Sequence, residues 1–196
     1  MSGVECNKTK KLKYFDSEAL MFELVMSIAT YALCESNVGC DLCVDGEFAP
    51  AMKKFMKTTG VFQFLGDDLL PTWMAKSKQH AEMEKESLAE TRVGVSVALM
   101  HLHMAMSQQM AIATILVKPD VPNWALVGKL CLGVAVELES FVSTMRSKSA
   151  LHMSRMEASF LTLVTFQINV QRALSLYCLS RSLWGSSEYG TAISSE

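Results

Sequence analysis

Cysteine and histidine are the residue types in this sequence that could hold a metal ion or act as nucleophile and base. Cys34, Cys40 and Cys43 form a C-x5-C-x2-C pattern, whose C-x2-C part has the spacing of zinc ligands. A structural zinc site needs four ligands, and no second close pair of cysteines follows. His101 and His103 cannot chelate together, because residues two apart on a helix point about 200° away from each other. We therefore expect loop or buried thiols, with no metal and no cofactor.

Other catalytic patterns are also missing from the sequence. There is no Gly-x-Ser-x-Gly elbow and no glycine-rich phosphate loop. Asp67 and Asp68 form an adjacent acidic pair next to a glycine, a pattern typical of a solvated helix end. We expect a protein without catalytic activity. An enzyme that uses Cys40, Cys43 or His101 within a helical bundle is the least favoured alternative.

Composition favours one helical domain. The chain has 196 residues, of which 50% are apolar and 19% charged, with a net charge of −2. It is too apolar for a disordered chain and too neutral for nucleic acid to be the expected partner. Few glycines and prolines, together with 14 methionines, indicate long packed helices. Trp73, Trp124 and Trp184 are far apart and are interpreted as packing anchors.

The sequence shows no secretory or transmembrane segment. Four lysines lie within residues 1–13, but no apolar run follows them. Residues 93–117 contain no acidic residue, lysine or arginine and could span a bilayer by length. The middle of that run holds His101, His103 and Gln108, whose polar groups would lack partners in lipid. A helix buried in a helical stack explains the run better, so we expect a cytoplasmic protein with reduced cysteines.

Two helices are predicted in the first third of the chain. A possible cap and apolar residues at helical spacing predict a helix over about 16–35, followed by a break at residues 36–39. A second start follows at residues 45–47. Gly66 and Pro71 bracket the predicted end of that helix.

Three further helices are predicted after a charged loop. The third ends near Leu116, before a proline-rich stretch at residues 118–122, and the fourth begins near Asn123. A weak break at 147–149 precedes a fifth helix over about 150–183. The prediction is an all-α antiparallel stack of about five long helices, with tetratricopeptide-like hairpins but no repeat signature. The predicted single domain covers 1–196, with a basic segment at 1–13, a charged loop at 74–86 and a loosely ordered tail at 185–196.

The order of residues in the second helix is specific enough to compare with a family. F-M-K-T-T-G-V-F at residues 55–62, with L-L-P at 69–71, resembles the F-x-x-A-A/S-G-A/V-F … V-L-P signature of the Bro domain of Alix- and PalA-type endosomal adaptors. The resemblance covers about residues 10–190 and corresponds to the middle portion of a full Bro domain. Further segments that resemble the family are 12–16, 22–32, 99–106, 125–130 with its lysine at 129, and, more loosely, 173–190.

The resemblance implies a binding module that takes the amphipathic helix of an ESCRT-III-type subunit into a hydrophobic groove. The two aliphatic anchors of the groove fall on Leu126 and Leu130, and an acidic groove residue falls on Asp45. The family's large aromatic anchor falls on Gln109, with Met110 beside it. Glutamine in the aromatic position departs from the family pattern.

Two functional hypotheses remain open at the level of the sequence. The first is a shortened Bro-like adaptor in endosomal sorting, in the cytoplasm and associated peripherally with endosomal membranes. The second is a scaffold subunit of a larger assembly that is derived from a Bro domain and has no ESCRT ligand. Leu126 and Leu130 also fit an ordinary core stripe, so their exposure decides whether they could form a groove.

Overall fold

The computed structural model describes residues 20–76, 88–188 and 190. This part of the chain is helical and contains no strand, which confirms the predicted all-α fold. The basic segment at 1–13 lies outside the described residues. The helices are α1 (Leu20–Val44), α2 (Phe48–Phe64), α3 (Leu70–Lys76), α4 (Val93–Leu116), α5 (Trp124–Lys148), α6 (Ala150–Met153) and α7 (Ala158–Gly185).

The five long helices pack side by side in the order α1, α2, α4, α5, α7. The hydrogen bond of His101 to Glu137 and the packing of Gln108 on Gly133 show that α4 and α5 run antiparallel. Every residue of α4 from 93 to 115 is buried or half-buried, because α2 and α5 cover it from two sides. The antiparallel stack therefore has α4 near its middle and α1 and α7 at its ends.

Helix α1 does not break at residues 36–39 as predicted. Ser36 and Gly39 are both buried within the continuous helix. A Cβ at Gly39 would lie 2.8 Å from the ring of Phe55, so the glycine lets α2 approach α1 closely. Ser36 and Gly39, which the sequence pattern indicated as helix breakers, are therefore packing residues. The Ser36 hydroxyl is bonded to His103, which removes the polar cost of burying it.

The second helix does not end at Gly66 and Pro71. It continues through a π-helical turn at Leu65–Leu69 directly into α3. Gly66 is buried, and a Cβ there would lie 2.9 Å from a methyl group of Val97 on α4. Pro71 lies just after this π-helical turn and has no backbone N–H to donate to it. Residues 74–76 are helical rather than part of the predicted charged loop, and the rest of that loop lies outside the described residues.

The predicted start of α5 is confirmed. Asn123 is its N-cap, and its side-chain Oδ1 accepts the backbone N–H of Leu126 at 3.1 Å. The predicted weak break is also present at Ser149. Beyond it the expected single long helix is divided, because a turn at 154–157 separates α6 from α7. Helix α7 runs through Gly185, the first residue of the predicted loose tail.

The core consists of two main clusters on either side of α4. Small side chains of α1 such as Ala29 and Ala32 pack on Phe62 and Leu65 at the α1 side. On the α5 side, aromatic and aliphatic residues including Phe141 join α4, α5 and α7. Each fully buried large side chain stabilises the fold by about 1.5–3 kcal/mol.

An ion-pair cluster joins the surfaces of α1 and α2. The Glu35 carboxylate accepts hydrogen bonds from Lys54 Nζ at 2.8 Å and Lys57 Nζ at 3.1 Å. These two hydrogen bonds lower the pKa of Glu35 to about 2. The Lys57 ammonium also lies 4.9 Å from the centroid of the Tyr31 ring. The cluster therefore favours ionised Glu35 at neutral pH and fixes how α1 meets α2.

Candidate functional site

The two predicted aliphatic anchors lie on α5 outside the sealed core. Leu126, in the first turn, is 45% exposed, and Leu130, one turn later, is half-buried. Their sequence neighbours Val127 and Cys131 are buried and face the interior. A docking partner can therefore reach Leu126 directly and Leu130 at its edge.

The other predicted groove residues lie toward α1. Met110 on α4 is half-buried, and its Sδ is 3.0 Å from the Sγ of Cys43 near the end of α1. Asp45 is exposed in the turn that follows. Gln109 is half-buried on α4, whereas the neighbouring Gln108 is the glutamine that contacts α5, at Gly133. The structure thus brings Met110 close to the Asp45 turn, and it places the two leucines beyond α4 on a different helix.

The outer side of α5 carries more exposed aliphatic residues than the sequence reasoning singled out. Leu132 is 48% exposed and Val136 is 47% exposed. With Leu126 and the exposed Lys129 they recur at steps of three and four residues, so they share one side of the helix. We call Leu126, Leu132 and Val136, with Lys129 between them, the α5 surface. A surface of this composition suits an amphipathic partner helix.

A second apolar surface runs along α7, and the sequence reasoning missed it. The main packing partner of α7 among the described helices is α5, against which it buries Val164, Gln171 and Cys178. The other side carries large apolar residues at steps of three and four, with Val170 and Ala173 between them. Because α7 is apolar on both sides, its sequence pattern does not reveal which side is buried. We call this outer row the α7 stripe: Leu163 (53% exposed), Phe166 (60%), Leu174 (42%), Tyr177 (50%) and Trp184 (57%).

A serine–histidine pair is present but closed to substrates. Ser36 Oγ donates to His103 Nε2 at 3.0 Å, and His103 Nδ1 donates to the Leu99 carbonyl at 2.7 Å. Phe62 stacks on the imidazole, with ring centroids 5.3 Å apart. Ser36 is 8% and His103 4% exposed, and this burial lowers the pKa of His103. The pair joins α1 to α4 and has the geometry of a structural hydrogen bond rather than of an active site.

The cysteines fall into two environments. Cys34 and Cys40 are exposed on α1, and Cys43 is half-buried beside them. Cys131 on α5 and Cys178 on α7 are buried and hydrogen-bonded to each other, and burial raises the pKa of Cys131 to about 11. Within residues 20–76 and 88–188, no group of three or more potential metal-ligating side chains is placed to hold an ion.

Comparison with protein-family models, with curated proteins and with solved structures finds no match to this chain. Among the helices of the described residues, none is both long and apolar enough to cross a membrane. The α5 surface and the α7 stripe are two described features with the chemistry of a docking site. Both are helical, largely apolar and open to solvent.

Proposed function

We propose that this chain is a non-catalytic protein-interaction module that binds an amphipathic partner helix on the α5 surface. The observation that carries the proposal is the exposure of Leu126, which is 45% accessible on a helix with long neighbours on two sides. The resemblance to the Bro domain makes an ESCRT-III-type subunit the partner. On this proposal the chain acts in endosomal sorting, in the cytoplasm and peripherally at endosomal membranes.

The number of apolar anchors in the contact limits the binding free energy that the partner can gain. Each buried anchor contributes about 1.5–3 kcal/mol, and association costs an estimated 4–15 kcal/mol. Leu126 and Leu130 alone would bind weakly, particularly with Gln109 in place of an aromatic anchor. Leu132 and Val136 lie on the same side of α5 as Leu126 and add apolar area to the contact.

A peptide titration tests the proposal directly. The probe is the C-terminal amphipathic helix of the host's ESCRT-III subunit, and the variant is Leu126→Asp, which puts a charge in the contact. A charge at this anchor should weaken binding by about 30-fold or more. Leu33→Asp is the matched control, because Leu33 on α1 is 42% exposed and lies at the other end of the stack. Equal affinity of wild type and Leu126→Asp, or the absence of saturable binding, contradicts the proposal.

Leu130→Asp is a second variant with a separate readout. We expect it to abolish partner binding while the helical circular dichroism is retained. Leu130 is half-buried, so circular dichroism and thermal unfolding are measured alongside binding. If the variant unfolds, Leu130 is a core residue and Leu126 alone marks the docking surface.

The α7 stripe favours a second candidate function, that of a subunit within a larger assembly. Its three aromatic residues are at least half exposed and leave about 100 Å² each open to solvent. Together with the leucines they approach the largest apolar patches seen on monomeric proteins. A groove of about 440 Å³ next to Phe166 adds room for a contacting side chain.

Two substitutions distinguish the two candidate functions, because each variant serves as the control for the other. Phe166→Asp on the α7 stripe should release the chain from a stable heteromeric complex isolated from its source cells, as measured by light scattering. Leu126→Asp should leave that complex intact. If instead Leu126→Asp releases the chain and Phe166→Asp does not, the α5 surface is the contact within the complex and the α7 stripe is not.

A further inference from the structure

The α7 stripe keeps to one side of its helix over several turns. Between residues 163 and 177 its positions are separated by alternating steps of three and four: Leu163, Phe166, Val170, Ala173 and Tyr177. This is the spacing of the seam along which two helices of a coiled coil meet. Helix α5 packs on the other side of α7, where Gln171 and Cys178 are buried. The stripe therefore has the pattern of a helix–helix contact on the side of α7 that faces away from α5.

The charges of α7 are held toward α5 and away from the stripe. The two charged residues of this helix are Arg172 and Arg181. Arg172 Nη2 lies 2.6 Å from a carboxylate oxygen of Glu139 on α5, and the Arg181 guanidinium lies 5.5 Å from the centroid of the Trp124 ring at the start of α5. The stripe thus presents no charge that would select an oppositely charged partner, and two copies of it can meet without like charges facing each other.

The exposed area of the stripe matches the lower range of specific dimers. Phe166 is 60% exposed and Tyr177 50%, and the aliphatic Leu163 and Leu174 are 53% and 42% exposed. These four side chains leave about 400 Å² open to solvent, to which the aromatic rings contribute most. With the small residues between them and the edges of the helix, a matching helix would bury about 600 Å² on each side, or about 1,200 Å² in total. That size suits a reversible dimer rather than an obligate one.

We propose that the α7 stripe is the interface of a homodimer, in which α7 of a second copy packs antiparallel along residues 163–177. A two-fold axis between residues 171 and 172 places Phe166 opposite Tyr177 of the second copy and Val170 opposite Ala173 of the second copy. The small side chains at the centre let the two helices approach closely. An aromatic pair then closes the contact at each end.

This inference rests on the second candidate function, in which the α7 stripe is a subunit contact, and it identifies the partner as a second copy of this chain. Binding of a partner helix to the α5 surface does not depend on it. Because α7 ends the stack of described helices, the two-fold axis would join two stacks into one continuous layer of helices.

Sedimentation velocity of the purified full chain tests the homodimer. We expect the mass to rise from one chain to two between about 1 and 200 µM. Phe166→Asp should raise the dissociation constant by at least about 30-fold, because it places a charge against an aromatic side chain. Phe166 is largely exposed, so helical circular dichroism should stay unchanged.

Leu179→Asp is the matched control on the same helix. Leu179 is 43% exposed and lies 13 residues after Phe166, which places it about 140° away around α7. We expect it to change the dissociation constant less than about threefold. A constant single-chain mass at every concentration, or equal weakening by Leu179→Asp and Phe166→Asp, overturns the proposal.

Mixing variants of opposite charge tests the antiparallel arrangement. Phe166→Glu and Tyr177→Lys should each be monomeric alone, and their equimolar mixture should form dimers because antiparallel packing brings the two new charges together. Phe166→Glu mixed with Phe166→Lys should stay monomeric. Dimers in the second mixture but not in the first would show that the helices pack in parallel, which contradicts the proposal.

The complex isolated from source cells separates failure of this inference from failure of the second candidate function. If the pure chain stays monomeric while Phe166→Asp still releases it from that complex, the stripe is a subunit contact but its partner is a different protein. If the pure chain forms a dimer that Phe166→Asp does not weaken, the stripe is not the dimer interface.

Discussion

The imidazole of His103 illustrates at the residue scale how a group of catalytic type can serve the fold. It accepts from Ser36 and donates to Leu99, and burial keeps it neutral by lowering its pKa from 6.5. Above pH 6.5 the imidazole is neutral in both the folded and the unfolded chain. Below pH 6.5 the unfolded chain takes up a proton that the folded chain does not, so the free energy of unfolding should fall.

The predicted loss approaches about 1.4 kcal/mol per pH unit for this one proton, over the interval between the folded pKa and 6.5. Urea unfolding from pH 8 to pH 5 measures it, with His103→Gln as the variant that cannot titrate. His152 also has a lowered pKa and acts in the same direction, so the test is the difference between the two slopes. Parallel slopes would show that His103 takes up its proton equally in the folded and the unfolded chain, and would contradict the lowered pKa.

At the scale of helices, the largest errors of sequence interpretation concern glycines and serines inside helices. Ser36 and Gly39 have the composition of a loop, but a partner 67 residues away and the Phe55 ring stabilise them within α1. No local pattern contains that information. Asn123 was predictable because a cap is formed by residues three apart.

The exposure of Leu126 has a simple geometric cause. Leu126, Leu130, Val134 and Leu138 follow one another at steps of four, and each step rotates the side chain by about 40° around the helix. The row therefore turns by about 120° between Leu126 and Leu138, from the outer side to the core. The spacing in the sequence predicts that these four residues form one row along α5. Which of them are buried depends on where α4 and α7 pack. That tertiary arrangement decides which end of the row stays open.

Two glycines in neighbouring helices offer a matched test of this packing. Gly39→Ala should destabilise the fold by about 1–3 kcal/mol, because its Cβ would meet Phe55 at 2.8 Å. Gly60→Ala on α2 meets nothing within 4 Å and should stabilise the helix by up to about 1 kcal/mol. Chemical denaturation measures both changes. Stabilisation by Gly39→Ala would show that α1 and α2 are less closely packed than described.

At the scale of the whole molecule, the side-by-side order of the helices makes the central helices more stable against local opening than the end helices. Among the described helices, α4 is covered on two sides, while α1 and α7 each end the stack. In such a stack each element is stabilised mainly by its neighbours, so the end helices open locally at lower free energy. The exposed α7 stripe is thus part of an element that is only half supported.

Amide hydrogen exchange should resolve this difference between the centre and the ends of the stack. We expect central α4 amides to exchange at least about tenfold more slowly than those of α7, corresponding to roughly 1.4 kcal/mol in the free energy of opening. Peptide-level mass spectrometry of the dilute chain measures both helices in one experiment. Adding the partner that covers the α7 stripe should slow α7 and leave α4 unchanged, since α4 is already enclosed. Equal protection of α4 and α7 in the dilute chain would mean that the stack opens as one cooperative unit, and the half-supported end helix would then not explain the exposed stripe.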